Sequence, residues 1–247
     1  MSRGRIIRSA LAAAAMASIG AAGVAHALPE SAIRQPDLGR GAAIAAKGVA
    51  PGVLACAQCH AYNGGANGID AFPRVAGQSA WYLAKELRDY ASGVRLNAVM
   101  APIAKALSPD DIADVTAYYA SVVAPYPPFA SPDPALLKRG EQLAKFGDAA
   151  RELQSCDNCH GPGGAGEPPA IPYLAGQYAR YIASQLTMWQ RGSRNNSPNA
   201  MADVAKRLDS QEIAAVAAYF QHVDASTVPP ASTVAPASAV VPKPPKR

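Results

Sequence analysis

The pentapeptide Cys-X-X-Cys-His occurs twice, as Cys56-Ala57-Gln58-Cys59-His60 and as Cys156-Asp157-Asn158-Cys159-His160, and it uses every cysteine in the chain. This is the spacing of a c-type haem attachment site. Two thiols three positions apart reach the two vinyl groups on one edge of a porphyrin. The next residue, a histidine, then lies under the ring with its imidazole toward the iron. Two such motifs predict two covalently bound haem c groups, with Cys56, Cys59, Cys156 and Cys159 as the thioether residues and His60 and His160 as iron ligands. Three other uses of the cysteines are weaker. A zinc site formed from both pairs leaves the histidines unexplained and joins the halves through one metal. A redox dithiol needs a βαβ setting, and the sequence has no strand pattern. Disulfides suit an exported chain but not this spacing.

The motifs lie 100 positions apart, and much else repeats with them. Leu38-Gly39-Arg40-Gly41 matches Leu137-Lys138-Arg139-Gly140. Pro73-Arg74-Val75-Ala76-Gly77-Gln78 matches Pro172-Tyr173-Leu174-Ala175-Gly176-Gln177. Gly93 and Arg95 match Gly192 and Arg194, and after a two-residue insertion Met100 matches Met201. The chain is a tandem duplication of units of about 90 residues, too few repeats for a solenoid. The expected domains are residues 36–124 and 135–224, joined by the proline-rich residues 125–134. Five prolines in that ten-residue connector favour an extended, semi-rigid link.

Each unit reads as helices. Leu83, Leu87 and Tyr90 form an i, i+4, i+7 stripe that Ile182, Leu186 and Trp189 repeat. Ser79 is placed to cap the first of these helices. Ser108-Pro109-Asp110-Asp111 and Asp209 to Glu212 read as starts of the last helix of each unit. Gly41 and Gly140 lie inside the first helix of each unit, at a cost of about 1 kcal/mol against alanine, which suggests a close helix crossing. A 90-residue unit is small for a self-sufficient core. The haem supplies the missing apolar surface, so the apo form is expected to fold poorly.

Residues 1–27 read as a secretory signal: Arg3, Arg5 and Arg8, an apolar run, and Ala25-His26-Ala27, with the mature chain starting at Leu28. The net charge of +5 resides at the two ends, because residues 28–224 hold 17 basic and 18 acidic side chains. That balance excludes a nucleic-acid binder. Residues 225–247, rich in proline, alanine and serine, read as a disordered tail.

The sixth iron ligand decides the chemistry. An open position allows peroxide or small-ligand reactions, whereas a methionine closes the site and raises the potential. Met100 lies 40 residues after His60 and Met201 lies 41 after His160, each in the irregular segment before the last helix. Two methionines at one repeat position point to ligation, whereas Met188, off the apolar stripe, is read as structural or exposed. Pro73 and Pro172 are candidates to present a carbonyl to each axial histidine. Arg95 and Arg194, with Tyr82 and Tyr181, are candidates for haem propionate contacts. Solvated surface charge is the plain alternative for the arginines. His26 and His222 carry no assigned role.

Residues 36–224 resemble the two-haem class I cytochromes c of the cytochrome c-four type. The likeness rests on the two Cys-X-X-Cys-His motifs, the two Pro-x-x-Ala-Gly-Gln motifs, Met100 and Met201, and His160-Gly161-Pro162-Gly163-Gly164-Ala165-Gly166. The first unit departs from the glycine-rich run, with Ala61-Tyr62-Asn63-Gly64-Gly65. The resemblance implies an all-α fold of two cytochrome domains related by a pseudo-twofold, His/Met iron in both, and electron delivery toward a terminal oxidase or similar acceptor. The expectation is therefore a periplasmic electron carrier with redox protein partners and no catalytic residues. A haem subunit of a larger dehydrogenase or oxidase complex comes second, and a dihaem peroxidase-type enzyme third.

Overall fold

The Asp37 carboxylate accepts the backbone N–H of Arg40 at 3.0 Å and so starts the first helix, α1 (Leu38–Lys47). In this computed structural model, which describes residues 34–66, 71–197 and 200–228, nine further α-helices follow. In the first half they are α2 (Ala57–His60), α3 (Ala80–Ser92), α4 (Met100–Lys105) and α5 (Pro109–Ser121). The second half repeats the order with α6 (Pro134–Phe146), α7 (Asp157–His160), α8 (Ala179–Gln190), α9 (Ala200–Lys206) and α10 (Ser210–His222). Among the described residues β pairing is limited to two isolated bridges, Asp148 with Leu153 and Glu167 with Ile171. The all-α expectation holds. The predicted signal segment and residues 229–247 of the tail lie outside the described residues.

In each half the first helix crosses the last, and a glycine sits at the crossing. A Cβ on Gly41 would strike the Asp114 carbonyl of α5, and one on Gly140 would strike the Ala215 carbonyl of α10. The conserved spacing of the repeat thus fixes how closely two helix backbones approach. An arginine next to each glycine ties the crossing electrostatically. Arg40 reaches Asp114 and Asp111, both at 2.5 Å. Arg139 pairs with Glu212, to which Arg151 donates twice, at 2.6 and 2.9 Å. Apolar packing grows from these crossings. Ile44, Ala45, Val115 and Tyr119 form one core, and Leu143, Leu186, Trp189, Val216 and Phe220 belong to a larger one.

Helix starts follow the expected chemistry at two of three places. Ser108 and Asp111 close a reciprocal capping box on α5, and Asp209 and Glu212 close another on α10. Ser79 is a correction. It occupies the first position before α3, but its hydroxyl is buried without a partner. The neighbouring Gln78 side-chain oxygen accepts from Ser79 N–H at 3.0 Å, and α3 starts without a side-chain cap.

Residues 125–133 of the connector have no regular secondary structure, and the connector is packed down. Arg74 donates to the carbonyls of Ala124 and, at 3.0 Å, Pro125, and its guanidinium lies 3.9 Å from the Tyr126 ring centroid. Phe129 packs edge-on against Tyr178 and His222. His222, given no role from sequence, therefore holds the connector. Tyr173, the repeat counterpart of Arg74, does the same for the chain after α10, donating to the Val228 carbonyl at 2.7 Å.

Candidate haem-binding sites

Each Cys-X-X-Cys-His motif folds into a single helical turn. His60 N–H donates to the Cys56 carbonyl at 2.9 Å, and His160 N–H donates to that of Cys156 at the same distance. A turn of helix brings positions i and i+3 to one face, so the two thiols of each motif share a side. No disulfide joins any of the four cysteines. Before a haem is attached, burial pushes the Cys156 thiol up to about 12 and raises that of Cys56, so both are neutral thiols. Among the described residues no three His, Cys, Asp or Glu side chains gather into a metal cluster, which leaves the zinc alternative without a site.

The two axial histidines are held alike. His60 Nδ1 lies 3.0 Å from the Pro73 carbonyl oxygen, and His160 Nδ1 lies 3.0 Å from that of Pro172. A carbonyl only accepts, so Nδ1 carries the proton and Nε2 keeps its lone pair. Burial lowers the pKa of both rings. Each is thus a neutral imidazole in the tautomer a metal ligand needs.

One cavity of about 650 Å³ runs through both halves and is lined by His60 and Met100 of the first and by His160 and Met201 of the second. The α3 stripe of Leu83, Leu87 and Tyr90 and the α8 stripe of Ile182, Leu186 and Trp189 wall it. Contrary to the expectation from sequence, the methionines do not lie in irregular chain. Met100 is the first residue of α4 and Met201 the second of α9. Asn97 explains the first case, because its carboxamide oxygen accepts from Val99 and Met100 N–H at 2.9 and 2.8 Å and nucleates the short helix. Met188 also lines the cavity and is half-buried, with the Gln185 amide 3.8 Å from its sulfur.

Arg95 and Arg194 are 4% and 3% exposed, which removes the solvated-charge alternative. They meet each other's half. Arg95 donates to Tyr181 Oη at 3.0 Å and Gln185 Oε1 at 2.6 Å, and pairs with Glu86. Arg194 donates to Tyr82 Oη at 3.2 Å, Gln185 Oε1 at 2.8 Å and Asn196 Oδ1 at 3.0 Å, with Glu86 at 3.3 Å. Each guanidinium also covers an aromatic ring of its own half, Arg95 over Tyr90 at 4.6 Å and Arg194 over Trp189 at 3.9 Å.

These residues fit a haem. Two buried guanidiniums share one carboxylate, which leaves positive charge in the cavity wall that an anion would neutralise. Trp189, also in that wall, has its Nε1–H buried without an acceptor. Propionates supply both the charge and the acceptor, the apolar stripes suit a porphyrin face, and the thiols and imidazoles stand ready at the same cavity.

A fold of two haem-attachment turns, each enclosed by crossed terminal helices and walled by an amphipathic third, defines a tandem class I cytochrome c. Comparison with known proteins agrees. The cytochrome c family profile matches residues 39–122 and 138–224. A thiosulfate dehydrogenase electron acceptor from Stutzerimonas stutzeri is 39% identical over 71% of this chain and 82% of its own. The crystal structure of reduced cytochrome c4 from Pseudomonas stutzeri superposes with a TM-score of 0.67 at 31% identity, over 76% of this chain and all of that one. A thiosulfate dehydrogenase (TsdBA) from Marichromatium purpuratum gives 0.69 at 41% identity, over 75% of this chain and 40% of that longer one. The chain belongs to the cytochrome c family, as a dihaem protein of the cytochrome c4 type. It carries two covalently bound haem c groups and functions in electron transfer.

Sequence reading missed Glu86, Gln185, Asn196 and Asn97. Glu86 and Gln185 occupy one repeat position, as do Asn97 and Asn196. That recurrence was available as a signal, but periodicity could not say that the residues face the other half.

Proposed function

We propose that this protein is a periplasmic dihaem electron carrier in which His60 and Met100 ligate one iron and His160 and Met201 the other. Thioether bonds join the haems to Cys56 and Cys59 and to Cys156 and Cys159. The observation that carries the reading is the matched pair of histidines, each held by a proline carbonyl at 3.0 Å, with a methionine at the same repeat position lining the same cavity. The bound haems supply a one-electron iron couple. The chain's own residues do the rest. Pro73 and Pro172 fix the imidazole planes, the leucine, isoleucine and aromatic stripes exclude water, and Arg95 and Arg194 present charge toward the propionates. With His60 and Met100, and His160 and Met201, held as ligands in both states, the chain would rearrange little between ferric and ferrous iron, and no base, nucleophile or substrate pocket would take part.

The named relatives suggest the donor. We take it to be a thiosulfate-oxidising enzyme, with a terminal oxidase or similar acceptor downstream. Export rests on residues 1–27, with the mature chain starting at Leu28, and no helix among the described residues is long and apolar enough to cross a membrane. The domains are residues 36–124 and 135–224. A second reading, a haem subunit held within a larger dehydrogenase complex, is favoured by the longer TsdBA chain that this one matches over 40% of its length.

The test is the visible spectrum of dithionite-reduced holoprotein before and after carbon monoxide. An unchanged spectrum is expected. A carbon monoxide adduct at half of the haem would show one methionine unbound and move an enzymatic role ahead. Purification then separates the two readings: a carrier is isolated alone and active, and a subunit comes with its partners.

A further inference from the structure

Three tyrosines of the first half run in contact from the haem cavity to solvent. Tyr119 is buried, lines the cavity and belongs to the core against which Cys56 packs. Its ring centroid lies 5.1 Å from that of Tyr118, which in turn lies 5.5 Å from that of Tyr62. Both spacings fall in the range of direct aromatic contact. Tyr62, at the outer end of the row, is 53% exposed. Glycines make the room. A Cβ on Gly64 would come within 3.0 Å of the Tyr119 ring, and one on Gly41 within 2.8 Å of the Tyr118 Cβ. The second half does not repeat the row. Tyr219 and Phe220 keep the inner contact, with ring centroids 5.2 Å apart, but the ring at the cavity is a phenylalanine and Pro162 stands where Tyr62 would. A phenol gives up an electron far more readily than a phenyl ring or a proline, so the first half alone holds this row in oxidisable form.

The three phenols differ in what can take their proton. Tyr118 donates to the Tyr62 carbonyl at 2.9 Å, and Tyr119 donates to the Ala61 carbonyl at 3.3 Å. A backbone carbonyl accepts a hydrogen bond but is too weak a base to keep the proton. Burial raises the Tyr119 hydroxyl well above the usual phenol range, and burial, aided by the Tyr62 hydroxyl, pushes Tyr118 up to about 12. Tyr62 is open to water, which can carry its proton away. An electron withdrawn from the inner rings is therefore made up from the outer end, where loss of the proton fixes the result.

We propose that Tyr119, Tyr118 and Tyr62 form an exit path that carries an oxidising equivalent from the first haem to the surface, with Tyr62 as its terminus and as a site of oxidative modification. The oxidant is hydrogen peroxide, which takes up two electrons and two protons to give two waters. In the reduced protein one electron comes from ferrous iron, which becomes ferric, and the other from the tyrosines. Tyr119 loses its electron first, Tyr118 refills Tyr119, and Tyr62 refills Tyr118. Of the two protons consumed, one is released by the Tyr62 phenol to water and one comes from solvent. The product is a neutral phenoxyl radical at residue 62, within reach of a soluble one-electron donor such as ascorbate, which with one proton restores the phenol. The path spares the porphyrin when peroxide reaches the iron. It rests on the reading that the first haem is bound at Cys56 and Cys59 in this cavity, and not on the identity of the electron donor or acceptor.

The experiment treats the reduced two-haem protein with hydrogen peroxide in the presence of a nitroso spin trap. Peptide mass spectrometry locates the adducts, and the Soret band follows haem loss. In wild type the adduct is expected at Tyr62, in clear excess over Tyr126, which is 41% exposed but outside the row. Tyr118→Phe should abolish the Tyr62 adduct and speed haem bleaching several-fold. Tyr62→Phe should move the adduct inward to Tyr118 and also speed bleaching. Tyr219→Phe, at the matching position of the second half, should change neither. A packing role alone predicts no shift of the adduct in Tyr118→Phe, because phenylalanine keeps the ring. Equal labelling of Tyr62 and Tyr126, or a Tyr62 adduct undiminished in Tyr118→Phe, would overturn the proposal. If Tyr118→Phe does not load both haems, Tyr62→Phe decides, and unchanged bleaching is the contrary result. Haem missing from the Cys56–Cys59 peptide of the same wild-type digest would instead overturn the site on which the path rests.

Discussion

Gln78 and Gln177 occupy one position of the repeat, and each carboxamide bonds to the other half's backbone. Gln78 accepts from Tyr173 N–H and donates to Tyr173 C=O, both at 3.0 Å. Gln177 accepts from Arg74 N–H and donates to Arg74 C=O, both at 2.9 Å. The exchange is reciprocal, so the last residue of each Pro-x-x-Ala-Gly-Gln motif works as a clamp about a pseudo-twofold axis. Each glutamine completes the backbone of the segment that, one residue earlier, presents its carbonyl to an axial histidine.

Truncating either glutamine should therefore destabilise the holoprotein. Gln78→Ala leaves a buried N–H and C=O of Tyr173 unpaired, and Gln177→Ala does the same at Arg74, at about 1–3 kcal/mol for each unsatisfied group. The double variant should lose less than the sum, because both act on one interface. Guanidinium denaturation followed at the haem band measures all three.

Gly41→Ala and Gly140→Ala should each cost about 1–3 kcal/mol, the range for overpacking a tight contact. The added methyl meets a helix carbonyl, Asp114 or Ala215, that cannot move without opening the crossing. Helix propensity alone predicts the opposite sign, with a gain near 1 kcal/mol for leaving glycine. Thermal unfolding of the two variants distinguishes the effects by direction.

Ala61 should be improved by glycine. It lies at φ 59°, ψ 159°, where its repeat counterpart is Gly161 at φ 72°, ψ 163°. A side chain in that region costs about 1–3 kcal/mol, and glycine returns about 0.4–1 kcal/mol of that through the entropy of the unfolded chain. Ala61→Gly is expected to raise the melting temperature of the holoprotein by about 2–4 °C, the shift for about 1 kcal/mol in a chain of this size. A fall in melting temperature would show that the strain is absent.

Acid stability should depend on Glu212. Hydrogen bonds from Arg151, aided by Arg139 and the Asp209 backbone, outweigh burial and hold its carboxyl at about 2. The folded-state value lies below the ordinary value of about 4.3. The stabilisation is complete above that ordinary value and is lost as the pH falls through about 2. Glu212→Gln should be less stable at neutral pH and should lose less on acidification. Denaturation midpoints measured at intervals between those two values check the slope difference.

Much of this was readable from residues alone. The haem motifs, the capping boxes, the glycine crossings and the proline carbonyls behind His60 and His160 follow from local chemistry that a short window contains. The interdomain cluster does not. Matching repeat positions make Arg95 and Arg194 candidates for propionate contacts, but their bonds to Gln185 and Tyr181, and to Glu86 and Tyr82, cross 86 to 112 positions of sequence where they join the halves. The role of Ser79 failed for a related reason. A hydroxyl beside a helix start is a sound local cap, but the Ser79 hydroxyl is buried and reaches no backbone N–H of α3. Met100 reads as irregular chain in sequence because the brevity of α4 hides its periodicity, and Asn97, which starts the helix, is an ordinary polar residue there.

The connector described above is fastened at both ends, by Arg74 on Ala124 and Pro125 and by Phe129 on Tyr178 and His222. The halves in turn grip each other through glutamines and arginines that owe nothing to the peptide between them. The covalent link thus acts mainly to set an effective concentration. The molecule is in physical terms a heterodimer whose two subunits are translated as one chain, and a single cut between Pro127 and Pro132 should leave both halves associated with their haems in place.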